Sequence, residues 1–430
     1  MQTRLADEQI STVFAKSLQQ KDLIDTNDTA VIFYDLSFLN ERIQDLIATF
    51  PATTLHAIAI KANPLQKILS KIKTLGVGLE AASLPELHLA VGAGFTADKI
   101  VFDSPAKTTA ELEYALNAGI HVNADSFAEL ERIDAIRRNG RSPGTIGVRI
   151  NPQVGTGKIL ATSVAGDYSK FGVPLNEYRH EIKEAFLHYD WLRGVHVHIG
   201  SQGCQVEMLI SGIAKVLGVV HEINSELHHQ QKPGKINLFD LGGGLPVAYH
   251  RDEAPVSMRR YKEELEARCP ELFTPEYKLM TEFGRNIHAN TGWVASRVEY
   301  VKPGKTIHTA MLHVGADLFL RECYHPQDWH HEIIVVDQTG RIKSGLDEQR
   351  YVLAGPLCFA GDVLAREIAL PKIAAGDWVI IQDTGAYTLS MWSRYNSRQI
   401  PKVIGYYQDG ATFEILKARE RLEEVLNFWA

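Results

Sequence analysis

The sequence predicts an α/β chain of two domains: a TIM (β/α)8 barrel over residues 39–287, and a second, β-rich barrel or sandwich domain made of residues 288–430 together with residues 1–38. Three observations lead there. Between about Leu55 and Arg285, eight short apolar runs alternate with amphipathic stretches, the pattern of repeated βα units. Beyond Arg285 the helical periodicity gives way to β-rich segments broken by Pro, Gly and Asp turns. The 430 residues also exceed the roughly 250–300 at which a single core stops growing.

In chain order, AVIFYDL near residue 30 precedes the barrel and is a candidate to join the β-rich domain. The eight barrel runs are HAIAIKA, VGLEAAS, KIVFDS, IHVNADS, TIGVRINP, GVHVHIGS, INLFDLGGG and YKLMTEFGR. Near-continuous apolar runs are what strands covered on both faces require. Between them lie helical patterns such as Glu111–Ala118 and Met208–Leu227, and Ser83-Leu84-Pro85-Glu86 fits a capping box. Eight βα units in this length suggest a closed barrel. The second domain takes WVASRVEYV, IHTAMLHVG, EIIVVDQTG, YVLAG, DWVIIQDTG and KVIGYYQDG in an antiparallel pattern, and a helix over Leu416–Phe428 closes the chain.

Composition narrows the function classes. Apolar residues make up 45% and charged residues 23%, an ordinary globular balance. The net charge of −7, with Lys and Arg scattered among Asp and Glu, leaves no basic stripe for nucleic acid. The first twenty residues lack a signal peptide's apolar core and no segment approaches the ~18 apolar residues of a membrane span, so no membrane partner and a cytoplasmic location are expected. The four cysteines (Cys204, Cys269, Cys323, Cys358) are too dispersed for a disulfide framework, and no metal site is expected.

A TIM barrel places its active site at the C-terminal ends of its strands, so residues just after each apolar run are the candidates. Lys61 ends HAIAIK; such a lysine either snorkels to solvent or, held in an apolar mouth, has its pKa lowered enough for covalent chemistry. Gly242-Gly243-Gly244 follows INLFDL and can cradle a phosphate through backbone N–H groups, although glycines also serve tight turns. Glu282-Phe283-Gly284-Arg285 sets a carboxylate and a guanidinium together, as a site or as a structural ion pair. His198 closes VHVHIGS with Ser201 beyond it, where a packed core histidine is the plain alternative.

Taken jointly, HAIAIKANP, GVHVHIGSQ, DLGGG, EFGR, GPLC and GAYTLSMWSRYNSR, in this order, resemble the alanine-racemase-like pyridoxal 5'-phosphate enzymes, specifically the diaminopimelate and ornithine decarboxylase family. IGSQ and YNSR look closer to the diaminopimelate members. The resemblance implies that Lys61 bonds the cofactor, His198 stacks on its ring and Glu282 bonds the pyridinium nitrogen. It implies further that Gly243, Gly244, Ser201 and Tyr387 hold the phosphate, with Gly284, Arg285, Arg149 and Glu80 lining the site. Cys358 would return a proton after CO₂ departs; its plain alternative is a small buried hydrophobe. In the family that thiol serves the partner subunit, which implies a homodimer with shared active sites, and Lys170 matches a position near that interface.

One departure bears on the substrate. The family carries an acidic residue after the GPxC cysteine to receive the substrate's distal ammonium, and here Phe359 follows. Losing such a buried partner costs about 3–5 kcal/mol, of which cation–π attraction recovers about 1–2. Arg285 and Arg321, followed by Tyr324, nonetheless match positions that grip a distal carboxylate, and Tyr387 is a further expected substrate contact. The expected activity is therefore decarboxylation of a small amino acid, or of a conjugate with an anionic or polar far end such as a siderophore or polyamine precursor. Diaminopimelate decarboxylation in lysine biosynthesis, amino-acid racemisation and a non-catalytic homologue that binds a protein partner are the alternatives.

Overall fold

The computed structural model describes residues 3–140, 144–345 and 347–430. It separates into two compact units, Arg42–Val247 with Pro255–Ile287, and Met1–Glu41 with Ala248–Ala254 and His288–Ala430. The strands in chain order are β1 (Ala30–Asp35), β2 (Leu55–Ala59), β3 (Gly78–Ala81), β4 (Ile100–Asp103), β5 (His121–Ala124), β6 (Ile146–Asn151), β7 (Val173–Pro174), β8 (Leu192–His196), β9 (Leu238–Asp240) and β10 (Lys278–Thr281). There follow β11 (Gly292–Lys302), β12 (His308–Leu312), β13 (Ile333–Val336), β14 (Glu348–Ala354), β15 (Val363–Pro371), β16 (Trp378–Ile381), β17 (Lys402–Tyr407) and β18 (Thr412–Lys417).

The first unit is a closed parallel barrel. Its ring runs β2-β3-β4-β5-β6-β8-β9-β10 and returns to β2, each step a parallel pairing, with the short β7 appended to β6. All eight apolar runs of the sequence supply ring strands, because parallel strands buried on both faces select Val, Ile, Leu and Ala. The helices between them start on polar caps. Thr108 and Glu111 form a full capping box ahead of helix Thr109–Ala118, and Ser126 caps helix Phe127–Asn139. At Ser83 the expected box is altered: the hydroxyl accepts from the Glu86 N–H, but the Glu86 carboxylate accepts from the N–H of Ala82 instead of that of Ser83.

The second unit is a nine-stranded sheet in which AVIFYDL, as β1, lies centrally between β11 and β17. The antiparallel expectation is corrected in two places, since β1 pairs with β17 and β12 with β14 in parallel. Its core joins Phe14 of helix Asp7–Gln19 to Phe33, Trp293, Trp378 and Tyr406, with Phe33 and Trp293 stacked at 3.9 Å between centroids. Two strands, β15 and β18, escape the sequence reading. Residues Leu416 and Lys417 belong to β18, and the last helix begins only at Leu422. The cause is local: the Glu424 carboxylate accepts from the N–H of Arg421 and caps the helix there. Among the described residues no helix is long and apolar enough to cross a membrane, and all four cysteines are free.

Candidate active site

The barrel gathers its charged residues at the ends of its strands. Lys61 sits on a single 3₁₀ turn, Ile60–Ala62, that terminates β2, and its Nζ lies 2.5 Å from Oε2 of Glu80 on neighbouring β3. Glu80 has no exposed surface; burial raises its pKa against the opposing pull of the Lys61 ammonium. The Lys61 side chain keeps 42% of its surface exposed, so the ammonium stands at the mouth instead of in the core.

A second cluster surrounds His196, at the end of β8. Its Nε2 lies 3.3 Å from Oε2 of Glu282 and its Nδ1 3.5 Å from Oδ1 of Asp103, while the other Asp103 oxygen accepts from Arg149 at 2.9 Å. Burial opposes a charge on His196, yet the Glu282 and Asp103 carboxylates hold its imidazole well above the ordinary range. Burial would likewise raise Asp103, but the His196 and Arg149 charges bring it well below the usual carboxylate range. Asp240, at the end of β9, is pushed up to about 7 by burial and by Glu282, against the opposing charge of His196.

Glu282 is buried, and its Oε1 has no hydrogen-bond partner among the described residues. A buried carboxylate oxygen left unserved is costly unless something else donates to it.

His198 behaves oppositely to His196. It is partly buried, and its Nδ1 accepts from the Gly243 N–H at 3.0 Å, which leaves the ring proton on Nε2. Burial, with the Arg149 and Lys61 cations, holds it well below the ordinary histidine range and so toward its neutral form.

The glycine run is narrower in use than its composition suggests. The Gly242 N–H donates to Asp240 and the Gly243 N–H to His198, so of the three only the Gly244 N–H lacks a partner among the described residues. A Cβ on Gly243 would collide with the Glu282 carbonyl oxygen, and one on Gly244, whose φ is +101°, with that of Gly200. Ser201 accepts from Nε of the buried Arg285 at 3.0 Å. Gly284 is buried between Phe283 and Arg285. Lys170 is exposed, its Nζ 4.9 Å from the centroid of Phe171, whose ring also carries the Arg149 guanidinium at 4.5 Å. The structure thus brings Lys61 to Glu80, His198 to Gly243, and Ser201 to Arg285.

The other predicted residues belong to the second unit. Cys358 is exposed, on the turn between β14 and β15 and not within a strand. Its backbone N–H donates to Asn396 Oδ1 at 2.7 Å and its carbonyl accepts from the Tyr395 hydroxyl at 3.2 Å. The Asp362 carboxylate accepts from the N–H of Leu357 at 2.6 Å, fixing the same turn from the other side. Phe359 stacks on Tyr324 at 5.7 Å and meets Tyr395 edge-on at 5.9 Å. The Arg321 guanidinium lies 4.0 Å from the centroid of Trp329 and 6.0 Å from that of Tyr387, which holds φ +56°. Its side chain is 10% exposed, and its Nη1 has no hydrogen-bond partner among the described residues.

Sequence reasoning passed over Asp103, His196 and Asp240, although each ends a barrel strand and the strand-end rule would have found them. Asp362 and Asn396 carried no such signal, because their part is to hold the backbone of the GPLC turn.

Residues 36–289 match the pyridoxal binding domain of the pyridoxal-dependent decarboxylases. The chain is 31% identical over 376 residues to the diaminopimelate decarboxylase of Archaeoglobus fulgidus, covering 86% of this chain and 85% of that one. It is 27% identical over 422 residues to the diaminopimelate decarboxylase of Neisseria meningitidis serogroup A, covering 96% and 98%. The diaminopimelate decarboxylase of Helicobacter pylori, crystallised with L-lysine, shares the fold with a TM-score of 0.81 at 28% identity, over 94% of this chain and 97% of that one. The family match takes in every strand of the barrel and more than half of the chain. The chain therefore belongs to the pyridoxal-dependent decarboxylases, carboxy-lyases that use pyridoxal 5'-phosphate.

Proposed function

We propose that this enzyme decarboxylates an amino acid or amino-acid conjugate whose far end is anionic or polar. The observation that carries the substrate half is Arg321, a guanidinium nine-tenths buried whose Nη2 lies 3.8 Å from Oε1 of Glu322 while Nη1 has no hydrogen-bond partner among the described residues. A buried cation so placed gains most from a ligand carboxylate. Phe359 supports the other half: with Tyr324 and Tyr395 as its ring neighbours it offers a second ammonium no carboxylate partner.

The barrel residues fit the cofactor. The free Oε1 of Glu282 suits a pyridinium N–H, and the Gly244 N–H with the Ser201 hydroxyl suits a phosphate. When bound, pyridoxal phosphate supplies the conjugated cationic ring that takes up the electron pair left as CO₂ departs. We assign Lys61 to hold the cofactor covalently, with Glu80 as the base that receives a proton from its Nζ. His198, held toward its neutral form, would stack on the ring without repelling its positive charge, and the Glu282 carboxylate would favour a protonated ring nitrogen. Tyr387 joins the phosphate or substrate contacts, Arg285 orients Ser201, and Arg149 acts through Asp103. Cys358, exposed and held by its backbone on both sides, returns a proton to the substrate α-carbon. We place it in a two-fold homodimer in which each copy lends its thiol to the other; Tyr324 and Tyr395, 59% and 49% exposed, support an aromatic surface that such a partner covers.

Diaminopimelate itself is the second reading, favoured by the names of the relatives aligned along both units. A CO₂-release screen over L- and D-diaminopimelate, ornithine, lysine and carboxylated conjugates decides. A carboxylated conjugate without a second ammonium should exceed diaminopimelate, ornithine and lysine in kcat/KM, and equal or better turnover of diaminopimelate overturns the reading.

A further inference from the structure

His196 is buried, and its Nε2, 3.3 Å from Oε2, is the ion-pair contact of Glu282 among the described residues. Its other nitrogen faces Asp103, which is tied to Arg149. Neither nitrogen makes a hydrogen bond of good geometry to its carboxylate, so both contacts are ion pairs, and an imidazole so flanked attracts both carboxylates only when both nitrogens carry protons. Asp103 and Glu282 face this ring and Arg149 offsets one of them, while Asp240, a third acid beside it, is pushed toward its protonated form by burial and by Glu282. The remaining titratable neighbours, His121 and His198, are both held toward the neutral form by burial.

Without that imidazolium, Glu282 would be a buried carboxylate with neither oxygen facing a cation among the described residues, Oε1 already having no hydrogen-bond partner. A carboxylate so released is free to turn Oε1 away from the cofactor. Resting on the assignment of Glu282 to the cofactor's ring nitrogen, we infer that His196 is a positioning residue: an imidazolium between Asp103 and Glu282 that holds Glu282 by Oε2 and keeps it turned so that Oε1 stays free for the cofactor. The histidine nearest in sequence, His198, cannot do this, because its Nδ1 is spent as an acceptor for the Gly243 N–H. Two histidines two residues apart therefore hold opposite charge states, one neutral and one cationic, set by what each nitrogen faces.

The test is a double-mutant cycle on the holoenzyme, His196→Gln with Glu282→Gln, read by cofactor dissociation constant and by the pH titration of the visible absorption band. His196→Gln should weaken cofactor binding by about tenfold or more, the population change of one pKa unit, and should shift the titration of the band. In the Glu282→Gln background the same substitution should change both readouts by no more than about twofold, because the residue it acts through is already gone. Additive losses would assign His196 a merely structural part and overturn the inference. Should Glu282→Gln alone leave band and affinity as in the parent, the Glu282 assignment falls instead, which separates the two failures.

Folding of the variant is not needed for the second measurement. In the parent enzyme labelled with ¹⁵N-histidine, one imidazole should remain doubly protonated at about pH 8.5, where ordinary histidines are neutral. Absence of any such ring overturns the inference.

Discussion

Nζ of Lys61 lies 2.5 Å from Oε2 of Glu80, a carboxylate with no exposed surface. The two belong to neighbouring parallel strands, so the barrel register itself sets the lysine against an internal base.

Lys61→Ala should abolish borohydride-fixable cofactor. Lys107, the other lysine near the strand ends, cannot replace it: its buried Nζ is held by Glu129 at 2.7 Å and by the Ser104 and Asn123 carbonyls. Retention of reducible cofactor by the Lys61→Ala enzyme, measured by absorbance and mass, would refute the assignment.

Cys358→Ala should leave cofactor binding intact and slow turnover or misdirect protonation, because the proposed role of the thiol comes after CO₂ has left. The turn itself should survive, since Asn396, Tyr395 and Asp362 hold it through backbone atoms and not through the sulfur. Parent-level turnover with unaltered product would show the cysteine to be idle.

For specificity, Arg321→Ala should lower kcat/KM for the true substrate by about 2–5 kcal/mol in transition-state terms, leaving a distal anion unpaired. Phe359→Glu should raise kcat/KM for diaminopimelate, by at most the ~3–5 kcal/mol of a buried pair and by less to the extent that water reaches the site. No gain for diaminopimelate in Phe359→Glu would separate that position from the substrate's ammonium.

A pH signature attaches to Asp240. Its carboxyl, raised from an ordinary 3.8 to about 7 by burial and Glu282, binds a proton in the folded chain at pH values where the unfolded chain has lost it. Stability from this group is therefore present below about pH 4 and declines as pH rises toward 7, by at most about 1.4 kcal/mol per unit. Asp240→Asn, which preserves an acceptor for the Gly242 N–H, should flatten that slope in denaturant titrations between these pH values. An unchanged slope would place the proton elsewhere in the cluster.

The barrel was legible because burial on both faces leaves a continuous apolar run for each parallel strand, and eight such runs admit few architectures. Lys61, His198 and Glu282 were legible by position, each following such a run, and by their resemblance to known motifs. The second unit was read less well. Its strands β15 and β18 carry exposed and half-exposed residues, so their apolar signal is diluted, and Leu416–Lys417 passed for the start of a helix. What the sequence by itself determined is the residue inventory: a lysine, an acid, a glycine run and a thiol at the points where the chain turns. Only the tertiary structure decided their states. His196 and His198 are the same residue type two positions apart, yet pairing across β4, β8 and β10 gives one two carboxylates, and the glycine turn after β9 gives the other a backbone donor. Likewise Gly242 and Gly243 lose their N–H groups to Asp240 and His198. Charge state and hydrogen-bond supply depend on neighbours distant in sequence, and those neighbours exist only once the barrel has closed.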